Sequence, residues 1–170
     1  MMGLKAVLST IGLVVALSVS GAHGAELRWP KTGQIAFAFE VPAGWTYEEA
    51  GDFAGINANN HESALNLSFV SDKASQSKPL TTLAAEILVA AQSEPYSATE
   101  PDSIGGVAGT AFISQSTNPG GIHIATRLIL VRADPTHVAA MTILMVVGGA
   151  PSDGPRMRSL ISKVHLIGVK

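Results

Sequence analysis

The chain has 170 residues, with 11 basic and 13 acidic side chains and no cysteine. Without cysteine it has no disulfides, thiol nucleophiles, thiolate metal ligands or acylated cysteine anchor. A weakly acidic chain that lacks a basic cluster has no electrostatic footprint for nucleic acid or anionic lipid, so neither is expected as a partner.

The N-terminus has the three-part layout of a secretory signal peptide. Lys5 precedes an uncharged run of fourteen residues, Ala6–Val19. Ala22 and Gly24 then occupy the −3 and −1 positions of a cleavage site before Ala25. The alternative is an uncleaved anchor, but fourteen helical residues span only about 21 Å of a hydrocarbon core of ~30 Å. We therefore expect cleavage and export to the periplasm.

Residues 25–170 are expected to form the mature protein as a single domain, with residues 1–24 outside its fold. Cleavage removes one lysine and leaves a formal charge of −3. The longest later apolar stretch without charge, residues 138–150, fits a buried strand better than a membrane span. No mature membrane anchor is therefore expected.

The first half of the mature chain contains alternating patterns typical of strands. Residues 35–41 alternate large and small side chains, and Pro42–Gly44 ends that strand before Trp45 begins the next extended segment. Residues 64–70 alternate again. Residues 53–57 form a short strand candidate whose place in the sheet the sequence leaves open.

An amphipathic helix follows Pro79. Apolar residues recur with a period near 3.6 across residues 80–91, which predicts a helix with one buried stripe. Thr81 or Thr82 is the expected N-cap. Glu94–Pro95 is expected to end the helix, because the residue before proline disfavours helical geometry.

Gly105–Gly106 is interpreted as the start of a three-strand meander over residues 107–114, 122–132 and 137–147. The last two strands are apolar on both faces, which indicates a sheet covered on both sides. The short turns favour antiparallel pairing.

The chain is predicted to end with a helix and a short strand. Ser152 is the expected cap, with Asp153 and Pro155 in the first turn, where they suit the helix dipole and the free amide positions. Residues 164–169 form a candidate strand beyond it. Together these elements predict an α+β fold, specifically an α/β/α sandwich with a mostly antiparallel sheet covered by helices on both faces.

In its order and spacing of elements the chain resembles the Mog1/PsbP-like superfamily. The resemblance rests on the Phe39–Trp45 entry (FEVPAGW), the helix at Leu80–Ser93, the Gly105–Thr110 segment that opens the meander, and the closing helix with Ser162. It spans about residues 34–167 and implies a protein-binding or assembly module. It implies no catalytic residues and no cofactor.

His123 and Arg127 are candidate binding residues. They lie on the same face of one predicted strand, about 13 Å apart, where they could line the mouth of a pocket. The alternative is that both side chains lie at the end of the sheet and extend past a covering helix into solvent.

The remaining polar residues indicate no catalytic, cofactor or metal site. The loop of residues 57–62 offers oxygens and His61 to a cation, but it lacks the acidic density of a calcium loop. Glu48 and Glu49 point to opposite faces of a strand and form no acid–base pair. Trp45 is interpreted as a turn residue at the edge of the core. Arg156, Arg158 and Lys163 are interpreted as a solvated basic face of the last helix.

These observations favour a non-enzymatic exported module that binds another exported protein or a peptide on a sheet edge or loop end. A small apolar-ligand carrier is the alternative, and a hydrolase is the third choice. The sequence leaves the partner and the oligomeric state open.

Overall fold

A computed structural model describes residues 24–70 and 72–169. The expected signal peptide lies almost wholly outside these residues, including Ala22 of the cleavage site. No helix among the described residues is long and apolar enough to cross a bilayer.

The described chain forms ten strands and three helices. The strands are β1 (Glu26–Trp29), β2 (Ala36–Glu40), β3 (Trp45–Ala50), β4 (Phe53–Ala58), β5 (Ser63–Val70), β6 (Ala98–Ile104), β7 (Val107–Thr117), β8 (His123–Asp134), β9 (His137–Val146) and β10 (His165–Ile167). The helices are α1 (Lys73–Gln76), α2 (Leu80–Ala90) and α3 (Asp153–Lys163).

The strands build two sheets, and their pairing is antiparallel throughout. A seven-stranded sheet has the order β3-β4-β5-β9-β8-β7-β6, and a three-stranded sheet has the order β1-β2-β10. The segment at residues 53–57, left open by the sequence, joins the large sheet as β4 and pairs with both β3 and β5. The fold is therefore α+β and rich in antiparallel sheet.

The large sheet is covered on both faces. A helix covers one face, and a helix together with the small sheet covers the other. On one face α2 packs Leu83, Ala84 and Leu88 onto the middle strands, around the buried Phe112 and Leu128. The other face carries the larger core. That core is built from apolar residues of the large sheet, the three-stranded sheet and α3, among them Phe37, Phe39, Ile56, Leu65, Leu67, Ile129, Met141, Met157 and Leu160.

The expectation of helices alone on this second face is wrong, because β1, β2 and β10 share it with α3. Sequence reasoning placed residues 35–41 and 164–169 as strands but in a single sheet. In the structure His165 pairs with Ala38 and Ile167 pairs with Ala36, so the last strand closes a separate small sheet. Single-strand patterning does not reveal which sheet a strand joins, since either choice buries its apolar face.

Two strands were not predicted. β1 has four residues, and β6 contains Pro101 and mostly exposed side chains, so neither shows a clear alternation. Gly105–Gly106 is consequently the turn of the β6–β7 hairpin and not the start of the meander.

The helix ends also differ from expectation. Neither Thr81 nor Thr82 is the N-cap of α2, because Pro79 holds that position without a side-chain hydrogen bond. The helix ends at Ala90, before the expected stop at Glu94–Pro95. Just after its last residue, Gln92 adopts a left-handed φ of 56°, and the Ser93 amide donates to the Leu88 carbonyl. Ser152 is the N-cap of α3 as expected, but its hydroxyl makes no capping bond.

Candidate functional site

Two open clefts lie at the two ends of β3, an edge strand of the large sheet. The first, named here the Arg156 cleft, has a volume of about 250 Å³ and lies at the start of the strand. It is lined by residues 44–45, residues 58–60 and the first turn of α3, including Asp153 and Arg156. The second, named the Glu49 cleft, has a volume of about 330 Å³ and is lined by residues 29–31 and 49–51.

The turn before β3 places Trp45 in the lining of the Arg156 cleft. The Trp45 amide donates to the Pro42 carbonyl at 3.1 Å, and Gly44 takes the positive φ of 76° that this tight turn requires. The indole is only 5% exposed, as expected for a residue at the core edge. Its ring N–H is buried and has no acceptor among the described residues. A buried donor left unpaired in this way costs about 1–3 kcal/mol.

Asp153 attaches the start of α3 to the loop between β4 and β5. Its side chain is 3% exposed, and Oδ2 accepts hydrogen bonds from Asn60 Nδ2 at 3.0 Å and Ser63 Oγ at 3.1 Å. Sequence reasoning assigned Asp153 only to the helix dipole. Its partners lie 93 and 90 positions away in the chain, so no local pattern indicates them.

The oxygens of the loop at residues 57–62 accept hydrogen bonds from protein donors. Glu62 Oε2 accepts from the Ala150 amide at 2.7 Å and from Asn60 Nδ2 at 3.1 Å, and Asn60 Oδ1 accepts from the Glu62 amide. Within residues 24–70 and 72–169 no group of three or more His, Asp or Glu side chains is arranged to hold a metal ion. The loop therefore fixes the end of the sheet to α3.

Arg156 is the cation of its cleft. The side chain is exposed, and no carboxylate among the described residues lies within ion-pair distance of it. Arg158, two positions later on the same helix, is also exposed and unpaired in the described part of the chain, but it does not line the cleft. Lys163, placed with them in the predicted basic face, is instead paired with Glu40.

The Glu49 cleft contains a carboxylate that is held ionised. Glu49 accepts the hydroxyl hydrogen bond of Tyr47 at 2.7 Å and pairs with Lys31 at 3.1 Å. The Tyr47 bond, followed by Lys31, lowers the pKa of Glu49 despite partial burial. Burial, followed by the bond to Glu49, raises the pKa of Tyr47. Glu48 points elsewhere and accepts from Asn57 Nδ2 at 3.2 Å, so the two glutamates form no pair, as expected from their alternation.

His123 and Arg127 lie at the opposite side of the sheet, and neither lines either cleft. Arg127 is held by Asp102 and Glu100 on β6. Partial burial acts to lower the pKa of Arg127, but the hydrogen bonds that the guanidinium donates to the two carboxylates, together with their negative charges, outweigh it and raise the pKa. His123 is exposed and shares a 3.0 Å hydrogen bond with Thr117. The two side chains have different partners, and their binding role remains a prediction.

The two edges of the large sheet differ. Pro101 in the middle of β6 removes one backbone donor from that edge. β3 has no proline, and no backbone amide of residues 46–50 donates to anything but β4 within the described chain. Ala50 and Phe53 flank a two-residue turn, so they form a hydrogen-bonded pair. Backbone N–H groups along a strand point alternately to its two sides, so those of Tyr47 and Glu49 point to the free edge.

Comparison with known proteins identifies the fold alone. No family model and no curated protein matches the sequence. Among solved structures, LpqN of Mycobacterium tuberculosis, described as involved in cell envelope biogenesis, matches with a TM-score of 0.51 and 11% identity over 84% of this chain and 91% of that one. The chain therefore shares a sheet-rich α+β fold with LpqN.

Two further structures are similar at lower scores. A protein of unknown function from Pseudomonas aeruginosa has a TM-score of 0.48 and 15% identity, covering 81% of this chain and 93% of its own. A protein from Bacteroides thetaiotaomicron has a TM-score of 0.49 and 11% identity over 76% of this chain, which spans 44% of that protein's length.

Proposed function

We propose that this protein is an exported, non-enzymatic module that binds an extended segment of another exported protein along the free edge of β3. The observation that carries the proposal is the combination of an unprotected edge strand and a cleft at each of its ends. An added strand gains main-chain hydrogen bonds from the edge, and pockets for alternate side chains give it specificity. A strand of six residues is long enough for such pairing.

The side chains of the clefts support binding over hydrolysis. Glu49 has a lowered pKa and two partners, whereas a general acid at neutral pH needs a raised pKa. Asp153 is buried and already accepts two hydrogen bonds. Both clefts are open to solvent, while a carrier of apolar molecules needs an enclosed, largely apolar cavity.

The place of action is proposed from the N-terminal segment. The signal-like residues 1–24 support export to the periplasm, and the fold shared with an envelope-biogenesis protein agrees with that location. The resemblance to the Mog1/PsbP-like superfamily, whose members mostly act as binding or assembly modules, points to the same function.

The proposal is tested with a displayed library of random decapeptides selected against residues 25–170. Recovered peptides are then measured against two variants, Glu49→Pro and Glu49→Ala. Both remove the carboxylate, but only proline removes the N–H at the free edge. We expect the proline variant to bind at least tenfold more weakly than the alanine variant, because an edge pairing bond disappears in the proline variant alone.

Hydrogen exchange of the wild-type protein provides a readout that does not depend on the variants folding. Bound peptide should protect the amides of Tyr47 and Glu49 more than those of Thr46 and Glu48, which already pair with β4. Equal binding to both variants without this protection would exclude the β3 edge. Failure to recover any peptide would overturn the proposal itself.

A further inference from the structure

Glu48 lies in the middle of β3, on the face of the large sheet that carries α2. Strand pairing aligns Glu48 with Gly55 and Asn66, and the same row continues across the sheet to Leu128, which packs against α2. The buried sheet residues under α2 belong to β7, β8 and β9, on the far side of the sheet from β3. The inference drawn from Glu48 rests on the proposed function and concerns which chemistry the bound segment must carry.

A segment added to β3 brings one of its side chains directly opposite Glu48. The outward N–H groups belong to Tyr47 and Glu49, so an antiparallel segment forms its hydrogen-bonded pairs with those two residues. Glu48 then lies in the non-hydrogen-bonded pair between them, where the Cα atoms are about 4.5 Å apart and the side chains are closest. Both side chains of such a pair lie on the same face. The pairing itself therefore places a ligand side chain beside Glu48.

The charge of Glu48 is not neutralised by a described side chain. Its Oε1 accepts a hydrogen bond from Asn57 Nδ2 at 3.2 Å, but that donor is neutral. No Lys, Arg or His among the described residues lies within ion-pair distance of Glu48. The side chain is half-buried and lies against the sheet, since a Cβ placed on Gly55 would be 3.0 Å from Oε1. A partly buried charge is screened less by salt than an exposed one, which strengthens its attraction for a cation.

The other positions along the edge offer a cation less. Glu49 points to the opposite face and already pairs with Lys31 at 3.1 Å, so a ligand cation there would compete with a cation of the protein. Thr46 and Ala50 flank Glu48 on its own face and carry no charge. A second copy paired symmetrically about Glu48 would place two carboxylates opposite each other, which is destabilising. The edge therefore favours a different chain with a cation at one position.

We propose that Glu48 selects a lysine or arginine in the segment that pairs with β3, and so favours one position of that segment along the strand. The ligand class is an extended peptide with a basic side chain between the residues that pair with Tyr47 and Glu49. That side chain must be long, because the Glu48 carboxylate leans over Gly55, away from the free edge. Loss of the pair should weaken binding about two- to fivefold, as is typical of opposite charges directly across two strands.

The experiment is a double-mutant cycle on peptides recovered from the decapeptide library. Each lysine or arginine of a peptide is replaced by glutamine, and binding is measured to wild type, Glu48→Gln and Asp52→Asn. Glutamine at position 48 keeps an acceptor for Asn57, so this variant removes the charge alone. We expect one basic position whose replacement weakens binding to wild type and to Asp52→Asn about two- to fivefold and leaves binding to Glu48→Gln unchanged. Asp52→Asn is the matched control, because it makes the same charge change at an exposed residue in the turn after β3.

A charge swap tests whether the two side chains meet directly. Glu48→Lys should lose affinity for the basic peptide, because like charges directly across two strands repel. The same variant should regain that affinity when glutamate replaces the coupled residue of the peptide. A swap that restores no binding would contradict direct pairing.

The outcomes separate this inference from the function on which it rests. Peptides that bind through the β3 edge with no basic position coupled to Glu48 would refute the selection and leave edge binding intact. Equal coupling to Glu48 and Asp52 would mean general attraction to an acidic surface, which also refutes selection by Glu48. Recovery of no peptide at all would overturn both proposals.

Discussion

At the scale of single residues, Asp153 has the largest structural consequence. Its carboxylate is buried and joins α3 to Asn60 and Ser63 across more than half the chain. A buried charge is tolerated only when its hydrogen bonds are made, and removing one partner leaves the others unsatisfied. The shape of the Arg156 cleft therefore depends on a lining residue whose carboxylate already accepts two protein hydrogen bonds.

We expect Asp153→Ala to lower the free energy of unfolding by about 1–3 kcal/mol, since it leaves the buried hydroxyl of Ser63 without its acceptor and removes the bond that Asn60 donates. Urea denaturation of residues 25–170 measures the change. Asp52→Ala is the control, because Asp52 is exposed and makes no described hydrogen bond, so its effect should stay within about 0.5 kcal/mol. Equal effects of the two substitutions would show that Asp153 contributes no more than a surface carboxylate.

The ionisation of Glu49 depends on its hydrogen bond from Tyr47. Its folded pKa is lowered first by the Tyr47 hydroxyl and then by Lys31. The folded state therefore binds this proton less readily than the unfolded state, so the stabilisation is complete above the ordinary glutamate pKa of 4.5 and is lost as the pH falls through the lower folded value.

We expect Tyr47→Phe to raise the pKa of Glu49 toward its ordinary value, because the hydroxyl donor disappears while the ring stays against Phe39. The measurement is an NMR titration of the Glu49 side-chain carbonyl carbon. Lys31→Gln provides the comparison and should also raise the pKa of Glu49, since it removes the hydrogen bond and the positive charge of Lys31. An unchanged pKa in the phenylalanine variant would contradict the assignment.

At the scale of elements, close contact between the two sheets depends on glycine at the β6–β7 turn. Gly105 has a φ of 57°, and a Cβ placed there would lie 2.5 Å from the Cα of His165 at the start of β10. Gly106 has a similar φ of 85°, but a Cβ at that position would have nothing within 4 Å of it. The first glycine is required by both the turn and the neighbouring strand, the second by the turn alone.

Gly105→Ala should therefore be more destabilising than Gly106→Ala. A positive φ costs each alanine about 1–2 kcal/mol, and Gly105→Ala adds an overlap with backbone worth about 1–3 kcal/mol. Thermal unfolding of the two variants measures the difference, with Gly106→Ala as the matched control for the turn. Equal losses would mean that β10 moves freely away from the hairpin.

At the scale of the whole molecule, patterning predicted most strands and both longer helices but not their assembly. The meander β7–β9 and the strand at residues 64–70 follow from alternation, because a strand covered on one or both faces shows its burial in its own sequence. β6 escaped prediction because an edge strand with Pro101 and exposed side chains buries little. The second sheet escaped because β10 joins β2 from the far end of the chain.

The candidate site, too, was predictable from the sequence only in part. Trp45, Gly44 and the basic residues of α3 were visible in the sequence as a turn and a solvated face. Arg156 lines the cleft and Arg158 does not, because residues two positions apart on a helix face different sides. That the start of α3 lies beside the β4–β5 loop depends on the long-range bonds of Asp153, which a local pattern does not contain.

The sequence by itself determined the class of chemistry available to this protein: a weakly acidic chain without cysteine, with an export-like N-terminus and an α+β pattern rich in strands. These properties depend on composition and on neighbours a few positions apart. Only the tertiary structure decided which strand is left unpaired at the edge, which cation lacks a partner and which carboxylate is buried. Each of these depends on residues that are distant in the chain and adjacent in space, and burial and pairing are properties of that adjacency.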